Sequence, residues 1–259
     1  MENKARILGA EAFGTAVLVL GGVGTTLLAP GAGVLGIALA FGLSWMVMTN
    51  VIGPISGAQM NPAVTLALLL TRKISAARAG FAVIGQLLGA IIGAFIIWGI
   101  GRGSETFTRG RFASNGFRAH SPGGFGVGSV MVAEIIFTAI FVAVVLMTTN
   151  RKYSIAVAGV TSGLTLAVLH LIMGRIDGTG LNPARSLATA IFAKSGNEAL
   201  KQVWLFLVFP LIGAVVAVFL YLALDDATLE DTMLDSELLR DVRDAADKGM
   251  DVAVDAIDG

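Results

Sequence analysis

Apolar residues in this chain fall in long unbroken runs, not in alternating or one-sided patterns. A helix that crosses ~30 Å of hydrocarbon needs roughly 20 apolar residues. Six stretches approach that length: residues 7–28, 35–54, 79–100, 127–149, 155–173 and 203–224. The first follows Lys4 and Arg6, as a secretory signal would. Its apolar run exceeds the ~7–15 residues of a signal core, so it reads as a retained first helix. Two further runs, 61–70 and 182–193, are too short to span. At ~1.5 Å rise per residue each covers about half a bilayer. Beyond residue 224 the pattern changes. Leu234, Leu238, Val242 and Ala245 recur near helical spacing after Thr228-Leu229-Glu230-Asp231, which resembles a capping box. An amphipathic tail helix is expected there.

Both short runs open on the same tripeptide, Asn61-Pro62-Ala63 and Asn182-Pro183-Ala184. Asn is a favoured N-cap, and Pro suits the first helical position, where its missing N–H has no partner anyway. Each tripeptide therefore predicts the start of a half-helix, and the stretches before them predict extended re-entrant loops. The repeat runs further. Ala10-Glu11 precedes Thr15 by the spacing at which Ala133-Glu134 precedes Thr138. Gly42-Leu43-Ser44 and Gly163-Leu164-Thr165 each lie 19 residues before their Asn. Each half reads helix, helix, half-helix, helix. Three full spans is an odd number, so the second half inserts upside down, and inverted repeats of this kind place the functional site between the halves near the midplane. The expected fold is an all-α membrane protein of six transmembrane helices plus two re-entrant half-helices. Its body covers residues 1–224, with repeat halves at about 1–110 and 126–224. A Gly- and Arg-rich loop, 101–125, joins them and carries the turn signal Ser121-Pro122-Gly123-Gly124.

Composition excludes the alternatives to a membrane protein. Of 259 residues 55% are hydrophobic and 14% charged. So few charges could not cover a soluble surface, and disordered chains are polar and charge-rich. The net charge of zero points to no nucleic-acid partner, but it hides a split. Residues 1–223 hold 15 basic and 6 acidic side chains, whereas 224–259 hold 3 basic and 12 acidic. The tail is either a solvated acidic helix or a docking helix that uses Leu234, Leu238 and Val242; its partner is not readable. There is no cysteine, which removes disulfides, thiolate metal sites and cysteine nucleophiles together. No metal and no cofactor is expected.

Irregular backbone survives inside a membrane only where protein or a wet cavity satisfies it. Two re-entrant loops thus imply a water-filled lumen. The half-helices aim two N-termini at the midplane, each with roughly +0.5 charge equivalent, which is hostile to cations. The Asn61 and Asn182 amides are expected to cap the helices and donate into the lumen. The carbonyls of Ser56, Gly57, Ala58 and Gln59, and of Gly178, Thr179, Gly180 and Leu181, are expected to form a ladder of acceptors.

Met60-Asn61-Pro62-Ala63-Val64 and Leu181-Asn182-Pro183-Ala184-Arg185-Ser186 resemble the paired signature of the aquaporin (major intrinsic protein) family. The Ala-Glu-x-x-x-Thr openings fit it. So do Ala113-Ser114-Asn115-Gly116 and the turn after His120, which resemble a loop of bacterial water-channel members. The resemblance covers about residues 5–223. It implies a selectivity filter of Phe41, His170, Thr179 and Arg185, a homotetramer with one pore per subunit, and both termini cytoplasmic in the plasma (inner) membrane. Charge counting gives no orientation, since seven basic residues fall on each side. Phe41 and His170 would narrow the pore to about one water; Arg185 would supply fixed donors and a cation-repelling charge. Glycerol-conducting relatives usually carry Gly for the His and Asp after the second Asn-Pro-Ala-Arg; here those positions are His170 and Ser186. Gln59 departs from the His common in water channels, and Arg175 and Asp177 are placed near the outer mouth, free to pair there.

The expected function is a passive water channel, driven by osmotic gradients, in lipid, without enzymatic chemistry. The alternative is a glycerol or small-neutral-solute facilitator. Glu11 and Glu134 keep two further readings open: proton carriers in a coupled transporter, or an acid/base pair in an intramembrane enzyme. The resemblance instead makes them static acceptors for the N–H groups of the re-entrant loops. Gly89-x-x-x-Gly93 and Gly213-x-x-x-Ala217 allow close helix packing, inside one subunit or between two.

Overall fold

The computed structural model describes residues 3–108, 110–149, 153–193, 198–225 and 232–234. Eight α-helices follow in order: α1 (Lys4–Leu28), α2 (Gly33–Ser56), α3 (Pro62–Leu70), α4 (Ala76–Gly101), α5 (Val127–Thr148), α6 (Ile155–Met173), α7 (Pro183–Phe192) and α8 (Glu198–Leu224). There is no strand among the described residues. Six helices are long and apolar enough to cross a membrane; the short α3 and α7 are the half-helices. Side-chain caps set several starts. Asn3 accepts from Arg6 N–H, Ser75 from Arg78 N–H and Ser154 from Val157 N–H. The expected tail helix and its capping box fall almost wholly outside the described residues. The exception is 232–234, where Met233 N–H donates to Leu70 O at the end of α3 (2.7 Å) and Leu234 packs on the edge of the core.

The two halves are built alike. In the first, α1 lies along α4; in the second, α5 lies along α8; α2 meets α6 across the divide. Glycine permits these approaches. Gly85, Gly89 and Gly93 share one face of α4, and a Cβ added to them would lie 2.5, 2.1 and 2.9 Å from the carbonyl oxygens of Leu8, Ala12 and Ala16 on α1. Gly42 and Gly163 meet across α2 and α6 in the same way, and Gly213 sits on Ile135 O of α5. The small-residue motifs around Gly89 and Gly213 therefore work inside the subunit. The outward faces carry Phe13, Leu35, Phe95, Val132, Leu164 and Phe219, all exposed, as a lipid-facing surface requires.

A side chain at Gly89 must push α1 off α4. Gly89→Val is expected to cost about 3 kcal/mol, the upper end for overpacking a tight core. Gly99→Val, with nothing within 4 Å of its Cβ, is the control. Thermal unfolding of the detergent-solubilised protein reads the difference, and equal midpoints for the two variants would contradict this packing.

Candidate functional site

The half-helices meet end to end. Asn61 Oδ1 accepts Ala63 N–H (2.8 Å), and Asn182 Oδ1 accepts Ala184 and Arg185 N–H (3.1 and 3.2 Å). Pro62 and Pro183 follow at the first helical position. Each Asn amide then crosses to the opposite loop: Asn61 Nδ2 donates to Leu181 O and Asn182 Nδ2 to Met60 O, both at 2.8 Å. These reciprocal bonds tie the repeats together at the midplane. They use one of the two N–H bonds of each amide and leave the other for the lumen.

The loops before the half-helices share one backbone path. Gly57 and Gly178, Ala58 and Thr179, and Met60 and Leu181 all have positive φ, between 48° and 86°. For the non-glycine residues this conformation costs about 1–3 kcal/mol each, and surrounding structure must hold it. Two buried carboxylates do so. Glu11 on α1 accepts Gln59 and Met60 N–H (2.9 and 2.6 Å), and Glu134 on α5 accepts Gly180 and Leu181 N–H (both 2.9 Å). Glu11 also accepts from Ser56 Oγ (2.6 Å) and Gln86 Nε2 (2.8 Å). Both side chains are 0% exposed and stand in loop-holding positions.

A narrow cavity of about 10 Å³ lies between the loops and the long helices, lined by Phe41, Asn61, His170, Gly180, Leu181, Asn182 and Arg185 on one part of its wall. That volume is about the minimum that holds a single water. Leu18, Trp45, Phe141 and Leu166 complete the wall with apolar surface. A cavity of about 200 Å³ adjoins it on one side through Phe41, His170 and Arg185, and reaches Gly178, Thr179 and His120. Another of about 200 Å³ adjoins it on the other side through Trp45, and reaches Gly57 and Ala58. Two wide vestibules thus join through one tight neck.

At the neck the Phe41 and His170 rings stack with centroids 4.0 Å apart, and the Arg185 guanidinium lies 5.7 Å from the Phe41 centroid. His170 Nδ1 bonds Leu166 O at 2.9 Å, so Nδ1 carries the hydrogen and Nε2 is an unengaged acceptor. Arg185 donates through Nη1 to Asn115 Oδ1 and through Nη2 to Gly178 O (3.1 Å), while Nε has no protein partner. A free acceptor and a free donor therefore sit beside an apolar ring. In the vestibule beside His170, burial and the nearby Arg111 charge push the His120 imidazole below its ordinary pKa, against a weaker pull from Glu198.

Some expectations need correction. Ser56 and Gln59 do not line the cavities: both are fully buried, and Ser56 O takes Gln59 Nε2 at 3.1 Å. The acceptor ladder is shorter than expected on the first loop, where the Gln59 amide donates to Ser56 O, whereas Gly178, Thr179, Gly180 and Leu181 all line the cavities. Asp177 does not stand at the mouth beside Arg175. Arg175 is exposed, while Asp177 is 0% exposed, with Oδ1 accepting Thr179 N–H at 2.7 Å and its carboxyl facing Glu134. The apolar wall and Asn115 were absent from the sequence reading of the pore. A signal for the wall existed: Leu18 and Phe141 each lie seven residues after a buried Glu, and Trp45 and Leu166 each lie 16 before an Asn.

The model of the major intrinsic protein family matches residues 2–221. The chain belongs to that family. Among curated members it is 42% identical to "Aquaporin Z" of Photorhabdus laumondii over 223 residues, covering 83% of this chain and 96% of the relative. It is 40% identical to "Aquaporin Z" of Brucella melitensis over 226 residues, covering 85% and 97%. The X-ray structure of the aquaglyceroporin from Plasmodium falciparum superposes with a TM-score of 0.72 at 23% identity, covering 85% of this chain and 96% of that one, and shares the fold. In this member of the major intrinsic protein family, residues 224–259 lie beyond the family match.

Proposed function

We propose that this member of the family is a passive water channel that excludes ions and protons. The observation that carries the reading is the neck of about 10 Å³ between two vestibules of about 200 Å³, which fits one water at a time. Water entering it loses bulk partners and gains His170 Nε2, Arg185 Nε and the spare Asn61 and Asn182 N–H groups on one side only. The opposite wall is apolar. Pore diameter, lining donors and half-helix dipoles set selectivity, as is general for aquaporin-type pores. The two Asn donors and the helix N-termini orient the central water oxygen toward the midplane. That orientation interrupts a proton wire, and Arg185 repels cations. Phe41, His170, Thr179 and Arg185 form the filter in this reading. Thr179 acts mainly through its backbone, since it lines the vestibule and not the neck. The resemblance of the curated relatives supports water over glycerol.

The same reading makes the protein a homotetramer in the plasma (inner) membrane, with both termini cytoplasmic and 225–259 a separate acidic tail. Six crossings return the chain to the side from which it starts.

Stopped-flow light scattering on proteoliposomes tests the function. Rapid shrinkage in hyperosmotic sucrose, with low activation energy and without re-swelling in glycerol, is expected. Saturable flux driven by a pH gradient would refute it. Because the chain has no cysteine, mercuric chloride is expected to leave the water flux unchanged.

A further inference from the structure

We propose that Asp177 is a positioning residue that holds the second re-entrant loop by donating one proton to the Glu134 carboxylate, and that removing this proton closes the pore at alkaline pH. The closure arm rests on the water-channel reading; the proton itself does not.

The repeat supplies the argument. Ser56 precedes Asn61 by five residues, and Asp177 precedes Asn182 by five. Glu11 takes the N–H groups of the two residues before Asn61, and Glu134 those of the two residues before Asn182. In the first half the third ligand is Ser56 Oγ, a hydroxyl that brings its own hydrogen to Glu11. In the second half the side chain in that place is Asp177, which is buried facing Glu134 with an oxygen that has no hydrogen-bond partner. Two ionised carboxylates offer only acceptors, so a bond between them requires a proton. Glu134 already accepts two N–H groups. Asp177 Oδ1 accepts Thr179 N–H, and Oδ2 has no hydrogen-bond partner. The open position is therefore on Asp177 Oδ2, and the protonated acid does what the serine hydroxyl does in the other half.

The charge count agrees. The ionisable groups that face Asp177 are Glu134 from α5 and Arg185 from α7. From α6, His170 bonds Leu166 O; from the 101–125 loop comes neutral Asn115, whose Nδ2 donates to Asp177 O at 3.2 Å. One guanidinium balances one carboxylate. With the proton present, the buried set is neutral. Without it, two negative groups oppose each other in a site where both are 0% exposed. The loop would lose its tie at Asp177, and the same loop carries Gly178 O, the acceptor that fixes Arg185 Nη2 at the neck.

The test uses the full chain in vesicles, with Asp177→Ser, Asp177→Asn and Asp177→Ala. Infrared difference spectra of the parent against Asp177→Asn should show the carbonyl stretch of a protonated carboxylic acid at neutral pH, lost on alkalinisation. Parent water flux should fall severalfold and reversibly from neutral to alkaline pH. Ser and Asn keep a donor that cannot ionise in this range, so both variants should conduct with a flat pH profile. Ala removes the donor and should conduct poorly at every pH. A spectrum without the acid band overturns the proposal, as does a parent profile as flat as that of Asp177→Ser. Should no variant or parent conduct water at any pH, the channel reading fails, while the infrared arm still decides whether the proton is there.

Discussion

In vesicles carrying the His170→Gly, Arg185→Val double variant, glycerol flux rises at least about tenfold over the parent, the equivalent of ~1.4 kcal/mol of barrier. Water flux stays high. The neck is narrow because the imidazole stacks on Phe41 at 4.0 Å and the guanidinium closes the same circle at 5.7 Å from that ring. Removing both leaves Phe41 as the remaining one of these three side chains at the neck. Glycerol then enters from a vestibule that already has ample room for it, at about 200 Å³. The single variant Arg185→Val separates charge from width. It removes the one positive side chain that lines the neck among the described residues, so proton leak, read by an entrapped pH-sensitive dye, rises while glycerol gains less than in the double variant. The guanidinium is held by Asn115 Oδ1 and Gly178 O, so Asn115→Ala acts in the same direction more weakly, by releasing Arg185 without deleting it. A glycerol-to-water ratio that stays fixed in the double variant means that His170 and Arg185 do not set the neck.

The helices were legible because a membrane span declares itself by length alone. The run at 155–173 and the helix α6 coincide, and the run at 7–28 gains only the turn that Asn3 caps. The run at 203–224 was short by five residues, because Glu198 and Lys201 interrupt the apolar pattern while still belonging to α8. Half-helix starts were legible because Asn-Pro is a local capping signal. What crosses the chain was not. The bond from Arg185 to Asn115 joins residues 70 apart, and neither residue type demands the other. Sequence position alone places Asp177 near the outer mouth together with Arg175. Its burial is set by the left-handed turn at Gly178, which no hydropathy pattern records. The symmetry with Ser56 was the one available clue, and it requires aligning loops on Asn61 and Asn182 instead of reading them one at a time.

Glu11→Gln distinguishes a scaffold from a proton carrier, and it is expected to lower the unfolding temperature and the water flux together. The carboxylate accepts four hydrogens, from Ser56 Oγ, Gln59 N, Met60 N and Gln86 Nε2. An amide keeps one accepting oxygen and turns the other into a donor. If Oε1 keeps its partners, the new NH₂ faces Met60 N–H and Gln86 Nε2; if it flips, it faces Gln59 N–H and Ser56 Oγ. Either way one backbone N–H, that of Met60 or of Gln59, loses its acceptor, at about 1–3 kcal/mol; the Ser56 hydroxyl and the Gln86 amide can accept from the new NH₂. That loss is a substantial share of the ~5–15 kcal/mol that holds a domain folded. It falls in the turn where Ala58 and Met60 hold positive φ values of 50° and 48°. The first loop then relaxes, and the Met60 carbonyl leaves Asn182 Nδ2, its partner across the midplane. The reciprocal variant Glu134→Gln strikes Gly180 and Leu181 N–H, and through Leu181 O the Asn61 amide. A proton carrier makes the opposite demand. The parent would show proton-driven flux, Gln would abolish it, and the unfolding temperature would hold. Scanning calorimetry and dye-reported proton flux on the same preparations decide between them, because unsatisfied loop amides destabilise the protein whether or not a proton gradient is present.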